Sequence, residues 1–92
     1  MNYSVEFEEG TLENFNKAIK YYEKISNELA DSFHIEFWNK IDYLKINPLH
    51  YQNRYKKVRI AHLKRFPFGI HYIIDKRVIR VFKILHHKQY FK

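Results

Sequence analysis

The chain has 92 residues, 46% of them apolar and 18% aromatic, no cysteine, and a net charge of +7. This length predicts one domain, residues 1–92, that buries roughly 60–70% of the surface exposed by its unfolded chain. Without cysteine there is no disulfide scaffold, zinc–thiolate site, iron–sulfur cluster or Cys nucleophile.

Tyr3–Glu8 alternates, with Tyr3, Val5 and Phe7 on one side and Ser4, Glu6 and Glu8 on the other, which predicts a half-buried strand. Glu9-Gly10-Thr11 reads as a turn with Thr11 as the helix N-cap. Leu12, Phe15, Ala18/Ile19, Tyr22 and Ile25 then recur every three to four residues, the apolar stripe of an amphipathic helix. Ser26-Asn27 either ends that helix or caps the next. Leu29, Phe33, Phe37, Ile41 and Leu44 continue at helical spacing until Asn47-Pro48, where the proline disfavours the α region for Asn47. The two helices form an αα-hairpin.

The second half changes period. Tyr55–Leu63, Ile70–Asp75 and Val78–Leu85 are rich in Val, Ile, Phe and Tyr and have no helical repeat, so they read as three strands. Phe66-Pro67-Phe68-Gly69 and Asp75-Lys76-Arg77 are the connections. The expected fold is α+β: an N-terminal strand and a helical hairpin packed on an antiparallel sheet, in the order β-α-α-β-β-β.

Charge divides along the same line. Residues 1–46 carry five Lys against nine acids, a balance of −4; residues 47–92 carry twelve Lys and Arg against Asp75 alone, a balance of +11, and five of the six His. Such a division points to a polyanionic partner: nucleic acid, an acidic protein segment or an anionic membrane surface. No apolar run approaches the ~18 residues of a membrane span, and Glu6, Glu8 and Glu9 leave no room for a signal-peptide core near Met1. A membrane partner is therefore not expected, and a cytoplasmic location is.

The basic half contains the candidate site residues. Lys57 and Arg59, two apart on the expected strand, point to one face. Lys64, Arg65, Arg80 and Lys83 are candidate nucleic-acid contacts, although Arg80 and Lys83 are out of phase. His86, His87, Lys88 and Tyr90 follow the last strand. Together these could line a cationic groove in which aromatic rings stack on bases. A Mg²⁺ nuclease would need carboxylates, of which this half has only Asp75. Adjacent His86 and His87 form no standard chelate, so no metal or other cofactor is expected. A Ser-His-Asp triad is excluded in practice, since Ser4, Ser26 and Ser32 all lie in the acidic half. What this inventory does allow is metal-free RNA cleavage, in which the ribose 2′-OH attacks its own phosphate and the protein supplies a base, an acid and cations. His71, between Ile70 and Tyr72, reads instead as a residue of the strand face.

Several stretches together resemble one family. Val58-Arg59, Arg65-Phe66-Pro67-Phe68-Gly69-Ile70-His71-Tyr72 and Val78 to His86 are similar to the C-terminal half of RelE/ParE toxins of bacterial toxin–antitoxin systems. Tyr21-Tyr22-Glu23, Glu28-Leu29-Ala30 and Ile46-Asn47-Pro48 are similar to its helical half. The resemblance implies a toxin neutralised by a cognate antitoxin. It leaves two activities open: cleavage of ribosome-bound mRNA, as in RelE-like members, or inhibition of DNA gyrase, as in ParE-like members; an inactive relative that only binds antitoxin is the third alternative. For the nuclease, the family pattern implies catalytic roles for Lys57, Arg59, His86 or His87, Lys88 and Tyr90. It also implies an Arg where this chain has Gly69.

Overall fold

The alternation at the N-terminus and the β-branched runs of the second half meet in one five-stranded sheet. The computed structural model describes residues 2–87. Its elements are β1 (Ser4–Phe7), α1 (Thr11–Glu23), α2 (Asn27–Ile46), β2 (Asn53–Tyr55), β3 (Val58–His62), β4 (Phe68–Asp75) and β5 (Val78–His86). The strand order is β1-β5-β4-β3-β2. β2 to β5 pair antiparallel, while β1 lies parallel to β5, Ser4 opposite Val78 and Phe7 opposite Val81. The α+β architecture is the one anticipated, with two differences. The expected strand Tyr55–Leu63 is broken by a turn at Lys56-Lys57 into β2 and β3, and one sheet edge is parallel.

The helical hairpin covers one face of the sheet. Phe33, Phe37, Ile41 and Leu44 of α2 are fully buried, as their spacing demands, against Ile70, Tyr72, Ile79 and Val81. Aromatic rings fill the interface: Phe15 and Phe37 have centroids 4.6 Å apart, and Phe33 meets Phe66 edge-on at 5.2 Å, geometries that suit the ring quadrupole. The stripe of α1 is narrower than its sequence suggests. Phe15, Ala18 and Tyr22 are buried, but Leu12 and Ile25 at its two ends face outward.

Capping also divides. Ser26 caps α2, its hydroxyl accepting from the Leu29 N–H at 3.0 Å. Thr11 is not the cap of α1. Gly10 occupies that position in the left-handed region at φ 90°, and the buried Thr11 hydroxyl donates to the Val81 carbonyl at 3.0 Å. A residue read as local punctuation is a tether from α1 to β5. At the other end of the hairpin the buried Tyr72 hydroxyl donates to the Pro48 carbonyl at 2.7 Å, fixing the chain after α2 against the sheet. Among the described residues no helix is long and apolar enough to cross a membrane.

Candidate functional site

Strand register decides which basic residues share a face. Ala61 pairs with Ile70 and Arg59 with Tyr72; directly opposed residues point the same way, so Arg59 lies on the side that carries the helices. There its guanidinium donates to the Tyr51 carbonyl. Lys57 does not alternate with it. It sits in the β2–β3 turn at φ 71°. The expected pair on one strand face is therefore absent: one member is held under the 48–52 loop and the other projects from a turn.

The face of the sheet away from the helices carries Ile60, His62, His71, Arg80 and Lys83. A bulge between His71 and Tyr72 shifts the register of β4 against β5, so His71 lies opposite Lys83 and Ile73 opposite Arg80. That shift brings the out-of-phase Arg80 and Lys83 onto one face. They do not act alike, however. Arg80 is taken up by three carboxylates, Glu6 at 2.7 Å and Glu8 and Asp75 at 3.4 Å. Lys83 is exposed beside the Phe82 ring. Lys64 and Arg65 lie away from this face, in the turn before β4, where their backbone N–H groups donate to Glu36 of α2.

The face away from the helices is instead organised around histidines. His62 Nδ1 and His87 Nε2 are 3.0 Å apart, and His71 Nδ1 is 3.2 Å from the Tyr55 hydroxyl. Burial, with help from His87 and Arg54, lowers the pKa of His62. His71 is only 1% exposed. Burial first, then Lys83 and His62, pushes its pKa down to about 4, so it is neutral at physiological pH. His86 and His87 separate, as neighbours on an extended chain must: His86 packs edge-on against the Phe68 ring at 5.3 Å on the helix side, and His87 reaches His62 on the other. Among the described residues no group of three or more His, Asp or Glu comes together to hold a metal. Lys88 and Tyr90 lie outside the described residues.

His62 is the member of this cluster that sequence reasoning missed. Its signal was Gly69, directly opposite on β4. A Cβ at Gly69 would stand 2.7 Å from Ile60 Cγ2 and 3.4 Å from His62 Nδ1. The glycine is what lets the His62 ring lie across the neighbouring strand. Gly69→Ala is expected to cost about 1–3 kcal/mol, as overpacking does, read as a lower urea midpoint.

The main concavity is elsewhere. A groove of about 620 Å³ runs between α2 and the loops at residues 50–51 and 64–65, lined by Glu36, Lys40, Tyr43, Tyr51, Lys64 and Arg65 among others. Lys40 donates to the Tyr51 hydroxyl at 2.7 Å and lies near the Tyr43 and Tyr51 rings. Beside it α2 and the following loop expose Ile35, Ile46 and Leu49 to 59%, 62% and 67%. The groove thus sets cations beside apolar and aromatic side chains.

Comparison with known proteins agrees with this architecture. The structure is similar to a chain of the chromosomal ParDE toxin–antitoxin system from P. aeruginosa, with a TM-score of 0.79 at 15% identity, covering 91% of this chain and 95% of that one. No curated protein sequence matches. The family model for the ParE toxin of the type II toxin–antitoxin system parDE matches residues 5–91. The chain thus belongs to the ParE toxin family of type II toxin–antitoxin systems.

Proposed function

We propose that this toxin acts by binding, as an inhibitor of DNA gyrase, and that an acidic antitoxin segment neutralises it. The observation that carries this reading is the dispersal of the cations among the described residues. A ribonuclease of this fold needs several of them converging on one phosphate. Here Arg59 is bonded to the Tyr51 carbonyl, Arg80 is held by Glu6, Glu8 and Asp75, and Gly69 stands where the resemblance called for an arginine. The groove along α2, with its apolar rim, supports protein recognition in their place.

One observation favours RNA cleavage, the contact between His62 and His87, since two imidazoles can divide the acid and base roles. Controlled expression separates the two readings. Gyrase inhibition is expected to relax plasmid DNA and leave mRNA intact. New mRNA 5′ ends within codons, lost in His62→Gln, would establish cleavage instead.

The antitoxin expectation has its own measurement. With twelve basic residues against one acid in residues 47–92, affinity for the antitoxin segment is expected to fall as salt rises, because screening shortens the reach of exposed charges. Calorimetry from low to high salt would show this. A constant affinity would assign the binding to apolar anchors alone.

A further inference from the structure

Among the described residues, the non-glycine residues with positive φ are Lys56 at 42°, Lys57 at 71° and Lys76 at 58°. All three occupy hairpin turns. Lys56-Lys57 joins β2 to β3, where Tyr55 pairs with Val58, and Lys76-Arg77 joins β4 to β5, where Asp75 pairs with Val78. Two-residue hairpin turns with positive φ favour Asn and Gly, because a side chain with a Cβ is strained there. Lysine is a poor choice for the backbone at these positions. Backbone strain of this kind concentrates where a protein meets its ligands.

The two turns lie together. β3 and β4 are antiparallel, Arg59 opposite Tyr72, so the start of β3 and the end of β4 are at the same end of the sheet. Two interstrand spacings, about 10 Å, separate the turns across the sheet, and the second turn lies two residues, about 7 Å, farther along the strands, so the two stand about 12 Å apart. All four residues are exposed. None of them forms a salt bridge among the described residues. The acid nearest in sequence, Asp75, is engaged by Arg80 at 3.4 Å. At the neighbouring end of α2, Asp42 is paired with Lys45 at 3.7 Å. These carboxylates are thus spoken for, and among the described residues the turn cations have no carboxylate partner, Arg77 lying instead over the Tyr3 ring at 5.5 Å.

We propose that this end of the sheet is a docking surface for the phosphate backbone of duplex DNA, contacted by Lys56, Lys57, Lys76 and Arg77. The chemistry favours phosphate over an acidic protein segment. The four residues are consecutive pairs of cations at turn tips, point charges at the spacing of successive phosphates, with Tyr3 under Arg77 and Tyr55 beside Lys56 as their aromatic neighbours. The separation of about 12 Å is that of the ~12 Å wide B-form major groove, whose walls are phosphate; the major groove of A-form RNA is deep and narrow. This surface is distinct from the groove along α2 and does not depend on gyrase being the target.

The test is fluorescence anisotropy of the full chain with a labelled mixed-sequence DNA duplex over a range of salt. Four phosphate contacts give a slope of log K against log salt of about −3.6. Lys56→Asn/Lys57→Gly and Lys76→Gly/Arg77→Ser are each expected to reduce that slope by about 1.8, while their melting temperatures stay the same or rise, since each relieves a strained turn. Lys20→Gln/Lys24→Gln removes equal charge from the end of α1 and its C-cap and is expected to leave the slope unchanged. An equal loss in this control would mean that net charge alone binds DNA, and would overturn the proposal. So would turn variants that bind like the parent chain. A duplex RNA of the same sequence bound with the same affinity and slope would overturn the assignment to DNA, and tighter binding of a poly-glutamate peptide would assign the turns to an acidic protein instead.

Discussion

Phe37→Ala is expected to remove about 3–5 kcal/mol of folding stability, the usual cost of deleting a buried aromatic ring. Phe37 is fully buried. Its ring meets Phe15 at 4.6 Å, Trp38 edge-on at 5.0 Å and Phe7 at 6.5 Å, so it joins β1, α1 and α2. Alanine there would leave a cavity walled by rings from three elements, none of which can collapse inward without moving the others. Domains of this kind hold only about 5–15 kcal/mol in total. A urea denaturation curve is the measurement. A loss under about 1 kcal/mol, the range of surface substitutions, would contradict the packing described here.

The second large effect is a loss of stability in mild acid that depends on one side chain. His71 has a folded pKa of about 4, against about 6.5 in an unfolded chain. Between these values the unfolded state binds the proton and the folded state does not, so acid favours unfolding. The stabilisation is complete above pH 6.5, falls as pH drops toward 4, and changes no further below that. The difference in pKa corresponds to at most about 3 kcal/mol. Carboxylates titrating below pH 5 add their own effect, so the informative quantity is a difference between variants. His71→Gln keeps polar atoms near Tyr55 and cannot titrate. Its stability is expected to vary less between pH 7 and pH 4.5 than that of the parent chain. Parallel curves for the two proteins would mean that His71 is protonated in the folded state.

The core was legible because burial leaves a periodic trace. Phe33, Phe37, Ile41 and Leu44 recur on one helical face, and Tyr3, Val5 and Phe7 alternate, so the helices and the first strand followed from spacing alone. The turn at Lys56-Lys57 left no such trace. A two-residue hairpin normally announces itself with Asn or Gly, and two lysines inside a run of Tyr, Val and Ile look like the polar half of a longer strand. The fate of the cations was not legible either, for a different reason. Arg80 meets Glu6 and Glu8 only because β1 docks beside β5, more than seventy positions away. Whether an arginine faces solvent, a carbonyl or a carboxylate is decided by tertiary register. Sequence gave the supply of basic residues, and the sheet decided which remained free of carboxylate partners. The His62–His87 contact belongs to the same class, since it required both the pairing of β3 with β4 and the missing side chain at Gly69.

The parallel ladder between β1 and β5 also sets the order in which this sheet can be assembled. β1 is synthesised first, and its partner, Val78 to Val81, last among the paired strands. The αα-hairpin and the β3–β4–β5 meander consist of neighbours in sequence and close short loops, which form quickly. β1 has to wait, with Tyr3, Val5 and Phe7 unpaired, until the other end of the chain is available. Until β1 docks, the sheet is unfinished and the backbone of β5 from Val78 to Val81 has no partner on that side.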